Sequence, residues 1–70
     1  MRFRYDKRAL QRMREERGLT RGQIAKLARL TERTLSFLER GVTEPRASTI
    51  AKLSGALGTT PADFFTGDAA

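Results

Sequence analysis

The sequence predicts a compact all-α domain of five short helices, and three observations support this fold class. The chain has 70 residues, which suffices for a single domain. Apolar residues recur at the three- and four-residue spacing of amphipathic helices. Residues that interrupt helices divide the chain into helix-length pieces: Gly18, Gly41, Pro45, Gly58 and Pro61.

We expect the helical domain to occupy residues 6–65. Phe3 and Tyr5 alternate with arginines, so residues 1–5 are interpreted as an extended N-terminal segment. Residues 66–70 are interpreted as a frayed C-terminal tail. The prediction therefore contains helices and connecting segments and assigns no sheet.

The first two helices are predicted over about residues 6–17 and 20–28. Asp6 is a suitable N-cap for the first helix, because its side chain can accept a backbone hydrogen bond. Thr20 begins the second helix, and Gln23 three residues later completes a capping-box pair. The second helix therefore has a clear start.

The third and fourth helices are predicted from Thr31 to Arg40 and over about residues 47–57. Thr31 is the N-cap of the third helix. Gly41 ends this helix, because glycine adopts the left-handed conformation at a helix terminus without strain. The segment that follows is a loop, since Pro45 disfavours helical geometry for the residue before it.

The fifth helix is predicted to be short and to begin at Thr60. Pro61 suits the first helical position, and the carboxylate of Asp63 favours the positive end of the helix dipole. Phe64 and Phe65 follow directly, and one helical turn does not bury two adjacent rings. We therefore expect one of these rings in the core and the other outside it.

The inner faces of the helices define the expected core, whose residues are given no other role. These positions are Leu10, Met13, Leu19, Ile24, Ala25, Leu35, Leu38, Ile50, Leu53 and Leu57. Val42 is expected to continue the inner stripe of the third helix. The spacing of Ile50, Leu53 and Leu57 places these three residues on one face of the fourth helix.

Positive charge is concentrated in the first two-thirds of the chain. Residues 1–46 carry thirteen basic and six acidic side chains, a net charge of +7, whereas residues 47–70 carry a net charge of −1. A solvated basic surface would account for this distribution. So would an electrostatic footprint for a polyanion, above all nucleic acid.

The sequence lacks the residue types on which several classes of catalytic site depend. It contains no Cys and no His, which excludes disulfides, thiolate and imidazole metal sites, and Ser-His catalysis. The adjacent carboxylates Glu15 and Glu16 diverge around a helix and do not converge on one substrate. We therefore expect no enzyme, no metal and no cofactor. No apolar run is long enough to cross a membrane.

The second and third helices are separated by a turn of three or four residues, which is the helix-turn-helix arrangement. A turn this short fixes the third helix across the second, so that it can project into a DNA major groove about 12 Å wide. Its outer face carries Glu32, Arg33, Ser36, Phe37 and Arg40. Phe37 could contact a thymine methyl group, form a dimer contact, or be a single exposed ring.

This ordered set of residues resembles the Cro/repressor-type (xenobiotic-response-element, XRE) helix-turn-helix family. The residues that match its pattern, between positions 9 and 65, are Leu10 to Thr20, Gln23-Ile24-Ala25, Ala28, Thr31 to Gly41, Pro45, Ile50, Leu53, Ala56-Leu57-Gly58 and Phe64-Phe65. The resemblance implies a lambda-repressor-like fold of five helices. It also implies sequence-specific binding of double-stranded DNA, usually in transcriptional control.

By position, the resemblance implies two kinds of DNA contact. The residues that would read base edges are Glu32, Arg33, Ser36 and Phe37. The residues that would bind phosphates are Arg21, Arg40, Thr43 and Arg46. Among the base-reading residues, Arg33 suits guanine O6 and N7, and Glu32 suits cytosine N4.

Two positions depart from the family pattern. Many relatives carry Gln at the position of Arg21, where arginine can bind a phosphate bidentately. Arg29 stands where glycine is common. If the backbone is left-handed there, Arg29 either stores about 1 kcal/mol of strain or reshapes the turn.

Glu39 has two interpretations. As a surface carboxylate it would offset the positive field of the domain. In the resemblance it forms a partly buried ion pair with Arg14, which makes Arg14 a framework residue and not a DNA contact.

The resemblance implies a cytoplasmic, nucleoid-associated regulator, interpreted as a repressor that occupies its operator. Its expected partners are double-stranded DNA and a second copy of the chain, because such homodimers read pseudo-palindromic half-sites about one helical turn apart. Phe64 or Phe65 would lie at the dimer contact.

The alternative is an antitoxin or adaptor of the same fold, with a protein partner bound around Leu27, Phe37 or Phe65. No membrane partner is expected.

Overall fold

Four α-helices contain most of the residues that this computed structural model describes, which are residues 2–68. They are α1 (Lys7–Glu16), α2 (Arg21–Ala28), α3 (Glu32–Arg40) and α4 (Ala47–Leu57). A short 3-10 helix, Pro61–Phe64, follows α4. Two strands flank the helices, β1 (Arg2–Tyr5) and β2 (Phe65–Asp68).

The first three helices begin at the predicted caps. Asp6 accepts a hydrogen bond from a backbone N–H in the first turn of α1. The capping box is confirmed, since Thr20 accepts from the Gln23 N–H at 3.1 Å and the Gln23 side chain accepts from the Thr20 N–H at 2.8 Å. Thr31 caps α3 by accepting from the Thr34 N–H at 3.1 Å. Helix α3 ends at Gly41, whose φ of 73° lies in the left-handed region as predicted.

The fold departs from the all-α, five-helix prediction at both ends of the helical domain. The predicted fifth helix is a single 3-10 turn, because the backbone becomes extended at Phe65. Strands β1 and β2 pair antiparallel, with Arg2 opposite Asp68 and Tyr5 opposite Phe65. The predicted frayed tail is therefore wrong for residues 66–68, which belong to β2. The rest of that tail, residues 69–70, lies outside the described residues.

The core lies between the four helices and the 3-10 helix. Its buried apolar residues are Ala9, Leu10, Met13, Ile24, Ala25, Ala28, Leu35, Leu38, Ile50, Leu53, Leu57 and Phe64. Nine of the ten predicted core residues belong to this set, and Leu19 is partly buried against it. Phe64 is the buried member of the phenylalanine pair.

Two apolar side chains near the core remain outside it. Val42 is 61% exposed, so its predicted place on the inner stripe of α3 is wrong. The left-handed turn at Gly41 redirects the chain, and the Val42 N–H donates back to the Phe37 carbonyl at 3.0 Å. Phe65 is 36% exposed, and its ring forms a T-shaped pair with that of Tyr5, with 6.4 Å between centroids.

The two-stranded sheet attaches directly to the helices. The Asp6 N–H, just after β1, donates to the Phe64 carbonyl at 2.8 Å. The Thr66 hydroxyl of β2 donates to the Asp6 carboxylate at 3.1 Å. The Lys7 ammonium donates to the carbonyl of Arg40 at 3.3 Å, at the last turn of α3. The first two bonds join the strand pair to the start of α1, and the third joins the start of α1 to the C-terminal end of α3.

Candidate nucleic-acid interface

The turn between α2 and α3 consists of residues 29–31. Arg29 adopts φ 57° and ψ 45°, and it is the one non-glycine residue with positive φ in the part of the chain that the structure describes. This is the left-handed backbone anticipated for that position. The Leu30 N–H then donates to the Ala25 carbonyl at 2.8 Å, which closes the end of α2. Arg29 thus adopts the strained conformation and does not reshape the turn.

Helix α3 has one buried and one accessible side. Its buried residues are Leu35, Leu38 and Glu39. Its first residues, Glu32 and Arg33, are exposed, and so is Arg40 at its last turn. Ser36 and Phe37 are half-buried. All five residues that the sequence analysis placed on the outer face of α3 are therefore at least partly accessible, as is Thr34.

The Phe37 ring is in contact with two cations. The guanidinium carbon of Arg33 lies 5.3 Å from the ring centroid, and that of Arg40 lies 5.2 Å from it. Both distances fall within the range of cation–π attraction. Sequence reasoning placed the three side chains on one helix face and missed this contact, although an aromatic residue with Arg at i−4 and i+3 is a signal that could have found it.

Glu39 is a buried carboxylate held by two arginines. Arg14 donates from Nε to one carboxylate oxygen at 2.7 Å and from Nη2 to the other at 3.1 Å. Arg21 donates from Nε to the second oxygen at 3.1 Å. The Glu39 side chain is 1% exposed, so its interpretation as a surface charge is wrong. The hydrogen bond to Glu39 raises the pKa of the Arg14 guanidinium.

The side chain of Arg21 is more exposed to solvent than that of Arg14. Its side chain is 48% exposed, against 12% for Arg14. Arg21 is the first residue of α2, where backbone N–H groups also point outward. The structure therefore places Arg21 on the surface with one of its donors bound to Glu39, a contact that sequence reasoning missed.

Glu32 lies against the first turn of α2. A Cβ atom built on Gly22 would meet the tip of the exposed Glu32 side chain, which would have to rotate away. Negative charge near a helix N-terminus is favourable because of the helix dipole. The Glu32 carboxylate is thus placed beside the N-terminus of α2.

The two loop residues predicted to bind phosphate follow α3. Thr43 and Arg46 are both exposed. Arg46 is also the N-cap residue of α4, where its carbonyl accepts from the Ile50 N–H at 3.0 Å and its side chain makes no capping bond. Its guanidinium is thus accessible at the start of α4.

Arg17 has a structural role that sequence reasoning did not identify. It donates from Nε to the Leu57 carbonyl at 2.8 Å and from Nη1 to the Met13 carbonyl at 2.9 Å. These bonds satisfy carbonyl groups at the end of α4 and within α1. The net positive charge therefore overstates the number of cations available to a ligand.

The described residues offer no group of three or more acidic side chains placed to hold a metal ion. Within the same part of the chain, no helix combines the length and apolar character needed to cross a bilayer. The groups available to a ligand around α3 are those of its basic and polar side chains.

A family profile for the helix-turn-helix, HTH_3, matches residues 10–64. The chain belongs to the XRE-type helix-turn-helix family. The match runs from α1 to the end of the 3-10 helix, so it contains α3 and both residues of the Arg14–Glu39 pair. The family resemblance seen in the sequence is confirmed.

Two solved structures are similar to this XRE-type domain. The restriction-modification controller protein C.AhdI from Aeromonas hydrophila is 29% identical, with a TM-score of 0.81 over 84% of this chain and 89% of that protein. The clp gene regulator ClgR from C. glutamicum is 34% identical, with a TM-score of 0.76 over 83% of this chain and 75% of that one. Comparison with the curated proteins gives no significant match in sequence.

Proposed function

We propose that this XRE-type domain binds double-stranded DNA sequence-specifically, with α3 in the major groove, and represses transcription by occupying its operator. The observation that carries this proposal is the accessible side of α3. It presents two guanidinium groups, a hydroxyl and a carboxylate on a helix whose opposite side is packed in the core. Such a helix can enter a groove without disturbing the fold.

The accessible residues divide into two proposed roles. Glu32, Arg33, Ser36 and Phe37 face the base pairs, because they occupy the first two turns of α3. The residues that bind phosphates lie around this helix: Arg21, Arg40, Thr43 and Arg46. Arginine suits both roles because its fork of N–H donors matches guanine and phosphate oxygens.

A second copy of the chain completes the proposed complex. Two α3 helices related by a two-fold axis would read pseudo-palindromic half-sites about one turn of DNA apart. Phe65 is the member of the phenylalanine pair available for such a contact, since Phe64 is fully buried. Regulation of gene expression is the role stated for ClgR, which is similar to this chain.

The experiment that tests the proposal is selection of bound duplexes from a random pool at roughly physiological salt. We expect enrichment of a split palindrome with half-sites about ten base pairs apart. Enrichment of a single half-site would contradict the dimer but keep specific binding. Weak, salt-sensitive binding without enrichment would contradict sequence-specific recognition altogether.

One observation favours a second candidate, an antitoxin or adaptor whose main partner is a protein. Leu27 on α2 is 59% exposed and lines a shallow depression together with Ala51, Gly55 and Ala56 of α4, where a partner's apolar side chain could bind. The test is co-purification of the chain with a partner, compared between the wild type and Leu27→Asp. A partner lost in the variant, combined with no sequence enrichment in the DNA selection, would establish this function in place of the first.

A further inference from the structure

Five arginine side chains of this domain make contacts of two different kinds. Arg14, Arg17 and Arg21 are held through their N–H donors, which bind a carboxylate or backbone carbonyls. Arg33 and Arg40 are held through the ring of Phe37. Neither of their side chains donates a hydrogen bond to any residue that the structure describes. Their N–H donors therefore remain available to a ligand.

Attraction to an aromatic ring differs from a hydrogen bond because it leaves the N–H donors of the guanidinium free. It acts between the delocalised charge of the guanidinium and the face of the ring, and it uses none of the five N–H donors. It also restricts a long side chain that would otherwise sample many rotamers. A guanidinium held by a ring is thus ordered and still able to donate two parallel hydrogen bonds.

The positions of the three residues on α3 make this arrangement possible. Arg33 precedes Phe37 by four residues and Arg40 follows it by three, so both reach its ring from neighbouring turns. The ring is half-buried, which anchors it on the helix surface. Two cations over one ring also repel each other, and that repulsion is relieved when a polyanion binds between or beside them.

We propose that Phe37 is a positioning residue, which fixes the Arg33 and Arg40 guanidinium groups in the orientation in which they meet DNA. The role rests on the proposed function, since it assumes that α3 reads duplex DNA. In this arrangement Phe37 determines specificity through Arg33, and contact with a thymine methyl group is not required. The ring links a base-reading arginine at the first turn of α3 to a phosphate-binding arginine at its last turn.

The first test uses the free protein and no DNA. We expect the side-chain δ protons of Arg33 and Arg40 to show upfield ring-current shifts in NMR spectra. These shifts should persist in Phe37→Trp, which keeps an aromatic face, and disappear in Phe37→Leu, which keeps apolar bulk without a ring. Ordinary arginine shifts in the wild-type protein would overturn the proposal, whatever the DNA experiments show.

The second test measures affinity for the duplex obtained by selection. Phe37→Leu should weaken binding on the order of tenfold, and Phe37→Trp should restore it to within about threefold of the wild type. Val42→Ala is the matched control, because it shortens an exposed apolar side chain outside α3 and should leave affinity unchanged. Equal affinity of Phe37→Leu and the wild type would overturn the proposal.

A double-mutant cycle and a modified duplex separate positioning from direct contact. If Phe37 acts through Arg33, Phe37→Leu should weaken preference at the base pair that Arg33→Ala affects, and the two effects should not add. Replacing each thymine of the site with deoxyuracil removes the methyl groups and should leave affinity unchanged. Additive effects, or a deoxyuracil loss equal to that of Phe37→Leu, would overturn the positioning role. Failure of the selection itself would instead disprove the proposed function, with the ring-current shifts still present.

Discussion

Tyr5 donates a hydrogen bond from its phenolic oxygen to the backbone carbonyl of Leu38, over 2.9 Å and across 33 residues of sequence. The bond joins β1 to the last turn of α3. Burial raises the pKa of the Tyr5 phenol, and the nearby carboxylates of Glu39 and Asp6 raise it further. The folded structure therefore contains the neutral phenol. The position of the last turn of α3 depends on a hydrogen bond from the strand at the N-terminus of the chain.

We predict that this bond makes the protein sensitive to alkaline pH. Because the pKa of Tyr5 is higher in the folded than in the unfolded chain, its contribution is complete below about pH 10 and decreases as pH rises further. Tyr5 is the only tyrosine of the chain, so tyrosinate absorbance reports it directly. The free energy of unfolding of Tyr5→Phe should be lower by about 1 kcal/mol at neutral pH and fall less at high pH. An ordinary phenol titration in the folded protein would contradict this.

We predict that Glu39→Ala destabilises the domain by about 3–5 kcal/mol, because it leaves the Arg14 guanidinium largely buried without its carboxylate partner. Denaturant unfolding measures the loss. Glu44→Ala is the control, since Glu44 is an exposed loop carboxylate and should change stability by less than about 0.5 kcal/mol. Similar unfolding midpoints for the two variants would show that the buried pair does not stabilise the fold.

We predict that Arg29→Gly is more stable than Arg29→Ala by about 1 kcal/mol. Both variants remove the charge, but only glycine adopts the left-handed backbone at φ 57° without a steric penalty. Comparing the two by thermal unfolding isolates the strain from the loss of the side chain. If alanine proved as stable as glycine, the turn would have to relax away from the left-handed conformation.

We predict that Ser54→Ala stabilises the domain by about 1 kcal/mol. The Ser54 hydroxyl is buried in α4 and has no hydrogen-bond partner within the described part of the chain. Alanine removes this unsatisfied group and has a higher helix propensity. Ser36→Ala in α3 is the control, because it carries the propensity gain without the buried hydroxyl. A smaller gain at position 54 than at position 36 would contradict the prediction.

We predict that Arg46 and Arg33 affect DNA binding in different ways. If Arg21, Arg40 and Arg46 of both protomers contact phosphates, the log–log dependence of affinity on salt has a slope on the order of −5. Arg46→Ala should flatten this slope by about two, because the dimer loses one contact in each protomer, and it should leave sequence preference unchanged. Arg33→Ala should relax preference at one base pair, at a cost of about 1–3 kcal/mol. Identical effects of the two substitutions would refute the division into phosphate-binding and base-reading residues.

The helix boundaries were predictable from the sequence because their signals are local. Thr20 and Gln23 mark a helix start within four residues, and Gly41 marks an end at a single position. The Arg14–Glu39 partnership had no local signal and came from the family resemblance. Neither a local signal nor the family resemblance predicted the strand pair, since each strand has only four residues and its partner lies at the other end of the chain.

The side-chain contacts of the candidate site were less predictable than the residues that form it. Spacing placed Arg33, Phe37 and Arg40 on one face, but contact with the ring depends on the rotamers of two long side chains. The bond from Arg21 to Glu39 likewise joins α2 to α3 through a flexible side chain. Such contacts follow from the packing of whole helices, which the order of residues alone does not specify.

The pairing of β1 with β2 has a consequence for the order of folding. The helices form from contacts between residues a few positions apart, whereas pairing Tyr5 with Phe65 must close a loop of about sixty residues. We therefore expect the helices to assemble first and the strands to pair afterwards. The carbonyl end of α3 gains its tyrosine partner only at this late step, so the surface that we propose to read DNA is completed when the two ends of the chain meet.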